Sequence, residues 1–165
     1  MTERLWSPWR MAYIESVHED DGTCFLCEKP KDPDPEAALV LSLTEQSSVI
    51  LNAYPYNPGH LLVSPLRHVA ELEELTTQES ADLSAMLSRS VTALKEAERP
   101  EGFNVGMNLG RVAGAGVPGH VHWHVVPRWN GDTNFMPVLN ETKVLPETLD
   151  QTYARLKPAF EPDAA

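Results

Sequence analysis

The sequence is poor in cysteine and has no long apolar run. Two cysteines in 165 residues are too few for a disulfide scaffold. No apolar run approaches the roughly 20 residues that a membrane helix requires. The N-terminal stretch MTERLWSPWRMAYIES has neither the continuous apolar segment nor the small-residue cleavage site of a signal peptide. We therefore expect a cytoplasmic protein with no membrane partner.

Positive charge is scarce as well. Thirteen lysines and arginines against 24 acidic residues give a formal charge of −11, which argues against binding to nucleic acid polymers. Acidic residues are absent from two segments, 51–68 and 102–131, although both carry arginine and histidine. If these segments meet in space, they form a surface suited to a small anionic ligand. Buried strands also exclude charge, so this pattern alone leaves both interpretations open.

The order of strand and helix signals favours an α+β fold. Thr76 and Glu79 match a helix capping box, an apolar face follows at Leu83, Met86, Leu87, Val91 and Leu94, and Pro100 ends this long helix. Five apolar runs predict strands at 38–42, 48–52, 60–65, 103–109 and 120–126. We further expect a short helix at 9–14, a loop at 19–37, a glycine-rich loop at 110–119 and a C-terminal helix at 146–156. One long helix among strands joined by turns indicates a mainly antiparallel sheet.

The stretch GHVHWHVVPRW, residues 119–129, contains three of the six histidines. Side chains on a strand alternate between faces, so His120, His122 and His124 share one face while Trp123 points to the core. Adjacent histidines are then roughly 7 Å apart and the outer two roughly 13 Å. A metal–imidazole bond of about 2 Å lets two of them converge on one ion, but hardly three. At least one imidazole is therefore available as a nucleophile or an acid–base group.

This stretch resembles the histidine triad family, because HVHWHVV fits all seven positions of its motif, His-φ-His-φ-His-φ-φ with φ apolar. LNAYPYNPGHLLVSPLRHVAELEEL and GFNVGMNLG resemble the nucleotide-binding strands of that family, so the likeness covers about residues 48–134. LWSPWRMAYI and PRWNGDTNF resemble the branch that includes bacterial diadenosine tetraphosphate phosphorylases. The resemblance implies one domain over 1–165, with an N-terminal arm to about 37, a core at 38–140 and a C-terminal helix at 146–158. It also implies a five-stranded antiparallel sheet through which the chain forms a homodimer or a higher oligomer.

The resemblance also assigns roles at the expected active site. His122 matches the nucleophile that becomes a nucleotidyl-histidine, and His124 matches the residue that contacts the scissile phosphate and the leaving group. Asn108 matches the phosphate-binding position, Asn52 the ribose-binding position, and His60 a histidine beside the active strand. Many family members have a Ser or Thr before the triad, but Gly116, Val117 and Pro118 offer no hydroxyl. Backbone N–H groups of Gly114–Gly116 are expected to bind phosphate instead.

The implied substrates are adenine dinucleotide polyphosphates or AMP-like nucleotides. Inorganic phosphate as the second reactant would make a phosphorylase, and water would make a hydrolase of such dinucleotides or of adenosine phosphoramidates. A nucleotide-binding module with weak catalysis and a zinc-stabilised dimerisation domain are alternatives. Arg111, Arg128, Tyr54 and Tyr56 each admit both a site role and a packing role. Trp129 and the segment 130–135 are expected to complete the site for the second half of the substrate.

Cys24 and Cys27 have the spacing of one half of a zinc site. A thioredoxin-like redox pair is the rival interpretation, but no strand signal precedes DGTCFLCEKP. A third possibility is a pair of structural thiols. The family resemblance supplies two further zinc ligands, His68 and His120. It therefore implies a structural zinc that joins the N-terminal arm to the histidine strand.

Overall fold

The computed structural model describes residues 23–132 and 145–161. Its centre is a five-stranded antiparallel sheet with the strand order β1–β2–β3–β5–β4. The strands are β1 Val40–Leu43, β2 Ser47–Leu51, β3 Leu61–Pro65, β4 Gly102–Met107 and β5 Trp123–Arg128. The helices are α1 Phe25–Glu28, α2 Thr77–Glu98 and α3 Leu149–Leu156. The α+β class is confirmed, whereas the helix expected at 9–14 lies outside the described residues.

The long helix α2 begins and ends where its sequence signals predict. The Thr76 side chain accepts from the backbone N–H of Glu79, and the Glu79 side chain accepts from the backbone N–H of Thr76. Its C-cap, Arg99, has the left-handed conformation, and Pro100 follows it and cannot continue the helix. The predicted apolar face packs on the sheet through fully or partly buried side chains, which are Leu83, Met86, Leu87, Val91 and Leu94.

The two faces of the sheet are covered differently. Helices α2 and α3 cover one face and bury Leu41, Val63 and Val125 with it. Each such side chain stabilises the fold by roughly 1.5–3 kcal/mol when fully buried. The N-terminal segment 24–39 covers the other face, but only over β1, β2 and β3, where Leu26 packs on Ile50 and Leu62. The part of this second face that β5 and β4 form is left for the site described below.

The turn between β2 and β3 packs closely on α2. Gly59 has a φ of +73°, and a Cβ atom there would lie 2.8 Å from Cδ2 of Leu94. Only glycine meets both conditions without strain. This tight turn sets the position of His60, the residue immediately before β3.

The histidine strand is the main correction to the sequence interpretation. We predicted 120–126, but β5 begins at Trp123 and runs through Pro127 to Arg128. The backbone before it leaves the ladder, because the N–H of Val121 donates to the carbonyl of Val69. Pro127 does not end the strand. Its carbonyl accepts from the side chain of Asn57 on the side away from β4, so its missing N–H costs no hydrogen bond to that strand.

Other predicted boundaries also move. The loop expected at 19–37 contains α1 and a 3₁₀ turn, Lys29–Lys31. The C-terminal helix begins at Leu149 rather than at Pro146, because Thr148 caps it. The other four strands begin or end one or two residues from their predicted bounds. No helix in residues 23–132 or 145–161 is long and apolar enough to cross a membrane.

Candidate active site

A cavity of about 540 Å³ lies on the face of the sheet opposite α2. Strands β4 and β5 form its floor, and the turn at 56–57 forms one wall. His124 and Asn108 line it, as the sequence predicted for substrate-contacting residues. The two acid-free segments therefore do meet, and Asp132, just beyond the second, is the acidic side chain of the lining.

The expected nucleophile, His122, is buried beside this cavity rather than in its lining. Its Nδ1 lies 2.8 Å from the carbonyl oxygen of His120. Because a carbonyl can only accept, Nδ1 must carry the hydrogen, and Nε2 of the neutral ring carries the lone pair. Burial lowers the pKa of His122 from its ordinary value, which favours this neutral form. The ring centroids of His122 and His124 are 5.0 Å apart.

A chain of hydrogen bonds also fixes the ring nitrogens of His124. The backbone N–H of Tyr56 donates to Nδ1 of His60 at 3.1 Å, so the hydrogen of His60 is on Nε2. That Nε2 lies 3.0 Å from Nδ1 of His124 and donates to it. A neutral His124 then carries its own hydrogen on Nε2. The ring of Tyr56 stacks on His60 with centroids 4.8 Å apart, which gives this tyrosine a place in the site.

The remaining residues predicted to bind the nucleotide are divided between two places. Asn52 lies beside His60, with its Nδ2 3.2 Å from Nδ1 of His60, and it does not line the cavity. Asn108 lines the cavity and donates to the carbonyl of Gly114. The N–H of Gly114 itself donates to Arg111 within a 3₁₀ turn. Gly116 is therefore the better candidate of the two glycines as a phosphate donor.

Four side chains expected to bind zinc come together at the other end of the histidine segment. The ligand atoms of Cys24, Cys27, His68 and His120 all lie within 4.8 Å of one another. Nδ1 of His120 is 3.3 Å from Sγ of Cys24 and 3.4 Å from Sγ of Cys27, and Nδ1 of His68 is 3.3 Å from Sγ of Cys27. A tetrahedral zinc with ordinary bond lengths separates sulfur from nitrogen by about 3.6 Å. The donor set and its spacing therefore fit a structural zinc.

The hydrogen bond of His120 and the pKa shifts in this cluster favour a bound metal over a pair of structural thiols. Nε2 of His120 donates to the carbonyl of Pro65 at 2.9 Å, which leaves the Nδ1 lone pair for the sulfur side. Burial is the main cause that lowers the pKa of His120 to about 4, and burial followed by Cys24 raises the pKa of Cys27 to about 11. His120 is thus held neutral, whereas Cys27 needs a cation to be held as a thiolate.

A polar network at the far end of the cavity was mostly missed by the sequence analysis. Arg128 donates to both carboxylate oxygens of Asp132, at 2.6 and 3.0 Å, and to Oδ1 of Asn104 at 2.7 Å. Asn57 donates to the same carboxylate at 2.8 Å. Of these four, Arg128 was named as a candidate and Asp132 lay in the expected segment 130–135, whereas Asn57 and Asn104 were missed. The available signal was Asp132 itself, the first acid after 30 acid-free residues and four positions from Arg128. Within the segment 130–135, residues 133–135 lie outside the described residues.

Comparisons with known proteins agree with this architecture. The family model described as HIT domain matches residues 36–131. The chain is 44% identical over 156 residues to a Mycobacterium tuberculosis protein named AP-4-A phosphorylase, covering 91% of this chain and 80% of that one. It is 33% identical to the adenosine 5′-monophosphoramidase of Schizosaccharomyces pombe, covering 66% and 76% of the two chains. A zinc-bound histidine triad protein from Mycobacterium smegmatis superposes with a TM-score of 0.65 at 25% identity, covering 84% of this chain and 94% of that one.

Proposed function

The chain belongs to the HIT domain family, and from this premise we propose that it is a nucleotidyltransferase acting on dinucleoside polyphosphates such as diadenosine tetraphosphate. The hydrogen bond from Nδ1 of His122 to the carbonyl of His120 carries the proposal. It fixes a neutral imidazole whose Nε2 lone pair can attack phosphorus. A protein that only bound nucleotides would have no use for a nucleophile held in this way.

The proposed reaction has two steps. Nε2 of His122 forms a bond to the α-phosphorus, and the bond from that phosphorus to the bridging oxygen breaks. The leaving nucleotide takes the electron pair, while Nε2–H of His124 donates a hydrogen bond to the departing oxygen. An acceptor oxygen then attacks the nucleotidyl-histidine and restores the free imidazole. Transfers of this kind depend chiefly on positioning and on stabilising charge, which Asn108 and the loop at Gly116 would supply.

The acceptor decides whether the enzyme is a phosphorylase or a hydrolase. The Mycobacterium tuberculosis relative named AP-4-A phosphorylase spans most of the chain and supports inorganic phosphate. The Schizosaccharomyces pombe relative, an adenosine 5′-monophosphoramidase, supports water as the second candidate. We favour the phosphorylase, because its support extends over 91% of the chain.

We assign a structural zinc to Cys24, Cys27, His68 and His120. The donor set, the sulfur–nitrogen distances and the zinc-bound Mycobacterium smegmatis protein support it. The metal would neutralise the thiolates and fix the N-terminal arm against the segment that carries His122. Because His120 offers its ring to the metal and its carbonyl to His122, the same residue serves both clusters.

We further propose that a homodimer forms through the edge strand β4, in a single-domain cytoplasmic protein. Strand β4 ends the strand order, and Val105 in its middle is 48% exposed. Within residues 23–132 and 145–161 no strand pairs with the outer side of β4, and such an edge with an exposed apolar side chain favours pairing with another strand. Light scattering coupled to gel filtration would measure the mass, and a monomer at micromolar concentration would contradict the dimer.

The first experiment is incubation of the protein with diadenosine tetraphosphate, with and without inorganic phosphate, followed by chromatography of the products. ADP plus ATP formed only with phosphate is the expected result, because the covalent intermediate would be protected from water. AMP plus ATP formed with or without phosphate would identify a hydrolase. Absence of both reactions would contradict the dinucleotide assignment and direct the search to adenosine phosphoramidates.

A further inference from the structure

We propose that the cavity beside His124 receives the phosphate groups beyond the scissile one, and that Arg128 selects substrates that carry them. This inference rests on the proposed function, since it assumes that the reacting phosphate lies at His122 and His124. It adds a specificity-determining residue to that reaction. The shared chemistry is a phosphate group, whether it belongs to the leaving polyphosphate or to inorganic phosphate that enters afterwards.

The distribution of charge in the cavity makes Arg128 the candidate for binding a phosphate group. It is the only lysine or arginine among the lining residues that the structure describes. The lining otherwise offers neutral amides and imidazole, apart from Asp132. Both oxygens of that carboxylate are bound by the Arg128 guanidinium, and Asn57 and the N–H of Trp129 also donate to it. The acid is therefore largely neutralised, which lessens its repulsion of an entering phosphate.

The guanidinium is held in a defined orientation. Its bonds to Asp132 and Asn104 use three of its five N–H groups, and the side chain is 44% exposed beside the cavity. A guanidinium that is already fixed loses little entropy when it binds a phosphate, and its planar fork matches phosphate oxygens. Asp132 and Asn104 thus act as positioning residues for Arg128.

The position of Arg128 along the strand fits a chain of phosphates. Asn104 pairs across the sheet with Val126, so the bond from Arg128 to Asn104 turns the guanidinium back toward His124. Val126 is two residues from His124, which is roughly 7 Å along a strand. A phosphate beyond the scissile one can therefore approach Arg128 while the reacting phosphate stays at His124.

His60 lies between the places where the two halves of a substrate would bind. Asn52, the expected ribose contact, lies on the other side of His60 and does not line this cavity. The nucleoside that stays on the enzyme would then lie near Asn52, and the departing phosphates would lie in the cavity. In a double displacement the acceptor attacks from the place that the leaving group has vacated. Inorganic phosphate would therefore contact Arg128 as well.

Equilibrium binding tests this inference without turnover. Titration calorimetry of the His122→Ala protein with AMP and with ATP is compared with the same titrations of His122→Ala/Arg128→Gln. We expect the second change to weaken ATP about tenfold, the loss of one partly exposed charged hydrogen bond, and AMP by less than about twofold. An equal loss for both ligands, or no loss for either, would overturn the proposal.

Two further variants separate binding from folding. Lys95→Gln, also made in the His122→Ala protein, removes the same charge from an exposed position on α2, on the opposite side of the sheet, and should change neither affinity. Asp132→Asn removes one anchor of the guanidinium but keeps the cation and its second anchor, Asn104, so the preference for ATP over AMP should persist. If Asp132→Asn abolishes that preference as completely as Arg128→Gln does, Arg128 serves only the local structure and the inference is wrong.

Turnover then distinguishes the two sources of phosphate and separates this inference from the proposed function. For Arg128→Gln, kcat/KM should fall about tenfold with diadenosine tetraphosphate and by less than about threefold with adenosine 5′-phosphoramidate. A rise in KM for inorganic phosphate would show that the acceptor uses the same contact. If the wild-type protein cleaves no dinucleotide, the proposed function fails, while the ratio of ATP to AMP affinity still decides the role of Arg128.

Discussion

Two clusters of imidazoles lie next to each other in this protein and are prepared for different chemistry. The metal cluster consists of Cys24, Cys27, His68 and His120, and the catalytic cluster consists of His60, His122 and His124. In the first, ring nitrogens face sulfur at 3.3–3.4 Å. In the second, they face backbone groups and one another at 2.8–3.1 Å, and Nδ1 of His60 also faces the side-chain amide of Asn52 at 3.2 Å.

The difference between the clusters comes from the second nitrogen of each ring. His120 gives its Nε2–H to the carbonyl of Pro65 and so presents Nδ1, whereas His122 gives its Nδ1–H to the carbonyl of His120 and so presents Nε2. Histidines at every second position of the sequence bring the rings together. The two backbone carbonyls decide which nitrogen of each ring is available to the metal or to the substrate. Each of the following predictions perturbs one cluster and asks whether the other responds.

The largest expected effect is the loss of the nucleophile. His122→Ala should lower kcat by at least about 10⁴-fold while the far-ultraviolet circular dichroism and nucleotide binding persist. Mass spectrometry of wild-type protein mixed rapidly with substrate should detect a nucleotidyl adduct that the variant cannot form. The metal content should not change, because His122 is not a metal ligand and only donates a hydrogen bond to the backbone carbonyl of His120. Unchanged turnover would exclude the covalent mechanism.

Removing the metal should produce the next largest effect, and it should reach both clusters. Zinc present at 1,000 times its Kd stabilises the folded state by about 4 kcal/mol, so chelation should lower Tm by about 10 °C. We also expect kcat to fall, because His120 supplies the carbonyl that orients His122. Elemental analysis should find one zinc per chain in the wild-type protein and none in Cys24→Ser/Cys27→Ser. A metal-free preparation with full activity and an unchanged Tm would exclude a structural zinc.

A smaller effect is expected from the chain of hydrogen bonds that ends at His124. His60→Leu removes the donor to Nδ1 of His124, and kcat should fall about 100-fold with little change in KM. His60→Gln keeps an N–H donor of similar reach and serves as the matched control, so it should recover most of that loss. Zinc content should stay the same in both. Equal activity of the leucine and glutamine variants would show that the donor at this position is unimportant.

The contrast between the clusters also shows how far the sequence could lead. The spacing of Cys24 and Cys27 predicted half of the metal cluster, the family resemblance supplied His68 and His120, and the structure brings all four together. Short-range patterns were sufficient for the fold class, for the capping box of α2 and for the antiparallel sheet. Such signals are local, so they can be interpreted from neighbouring residues without knowing the contacts made by the rest of the chain.

What the sequence could not predict depends on contacts between distant backbone groups. The ring orientation of His122 follows from a carbonyl of a segment that leaves the strand ladder, and that departure depends on Val69, 52 positions away from Val121. The cavity network joins Asn57 to Asp132 across 75 positions. Strand propensity at 120–122 was overridden by these distant partners, which explains why the predicted strand was wrong at both ends.

The ion pair next to the metal cluster should give the smallest effect. Arg67 precedes the metal ligand His68 and donates to both oxygens of Glu79, which is buried in the capping box of α2. Hydrogen bonds from Arg67 and Thr76 lower the pKa of Glu79 to about 2 from an ordinary value of 4.5. Because half of Arg67 is exposed to solvent, we expect Glu79→Gln to lower Tm by only about 3 °C.

The pH dependence of that cost follows from the lowered pKa. Stabilisation by the Glu79 carboxylate is fully present above pH 4.5 and is lost as the pH falls toward 2, because the unfolded chain takes up the proton first. The difference in Tm between wild type and Glu79→Gln should therefore be constant from pH 5 to 7 and shrink toward pH 3. Activity at pH 7 should change by less than about threefold, since the catalytic cluster is not in contact with this pair. A difference in Tm that is independent of pH would show that the variant acts through packing of the cap and not through the charge of Glu79.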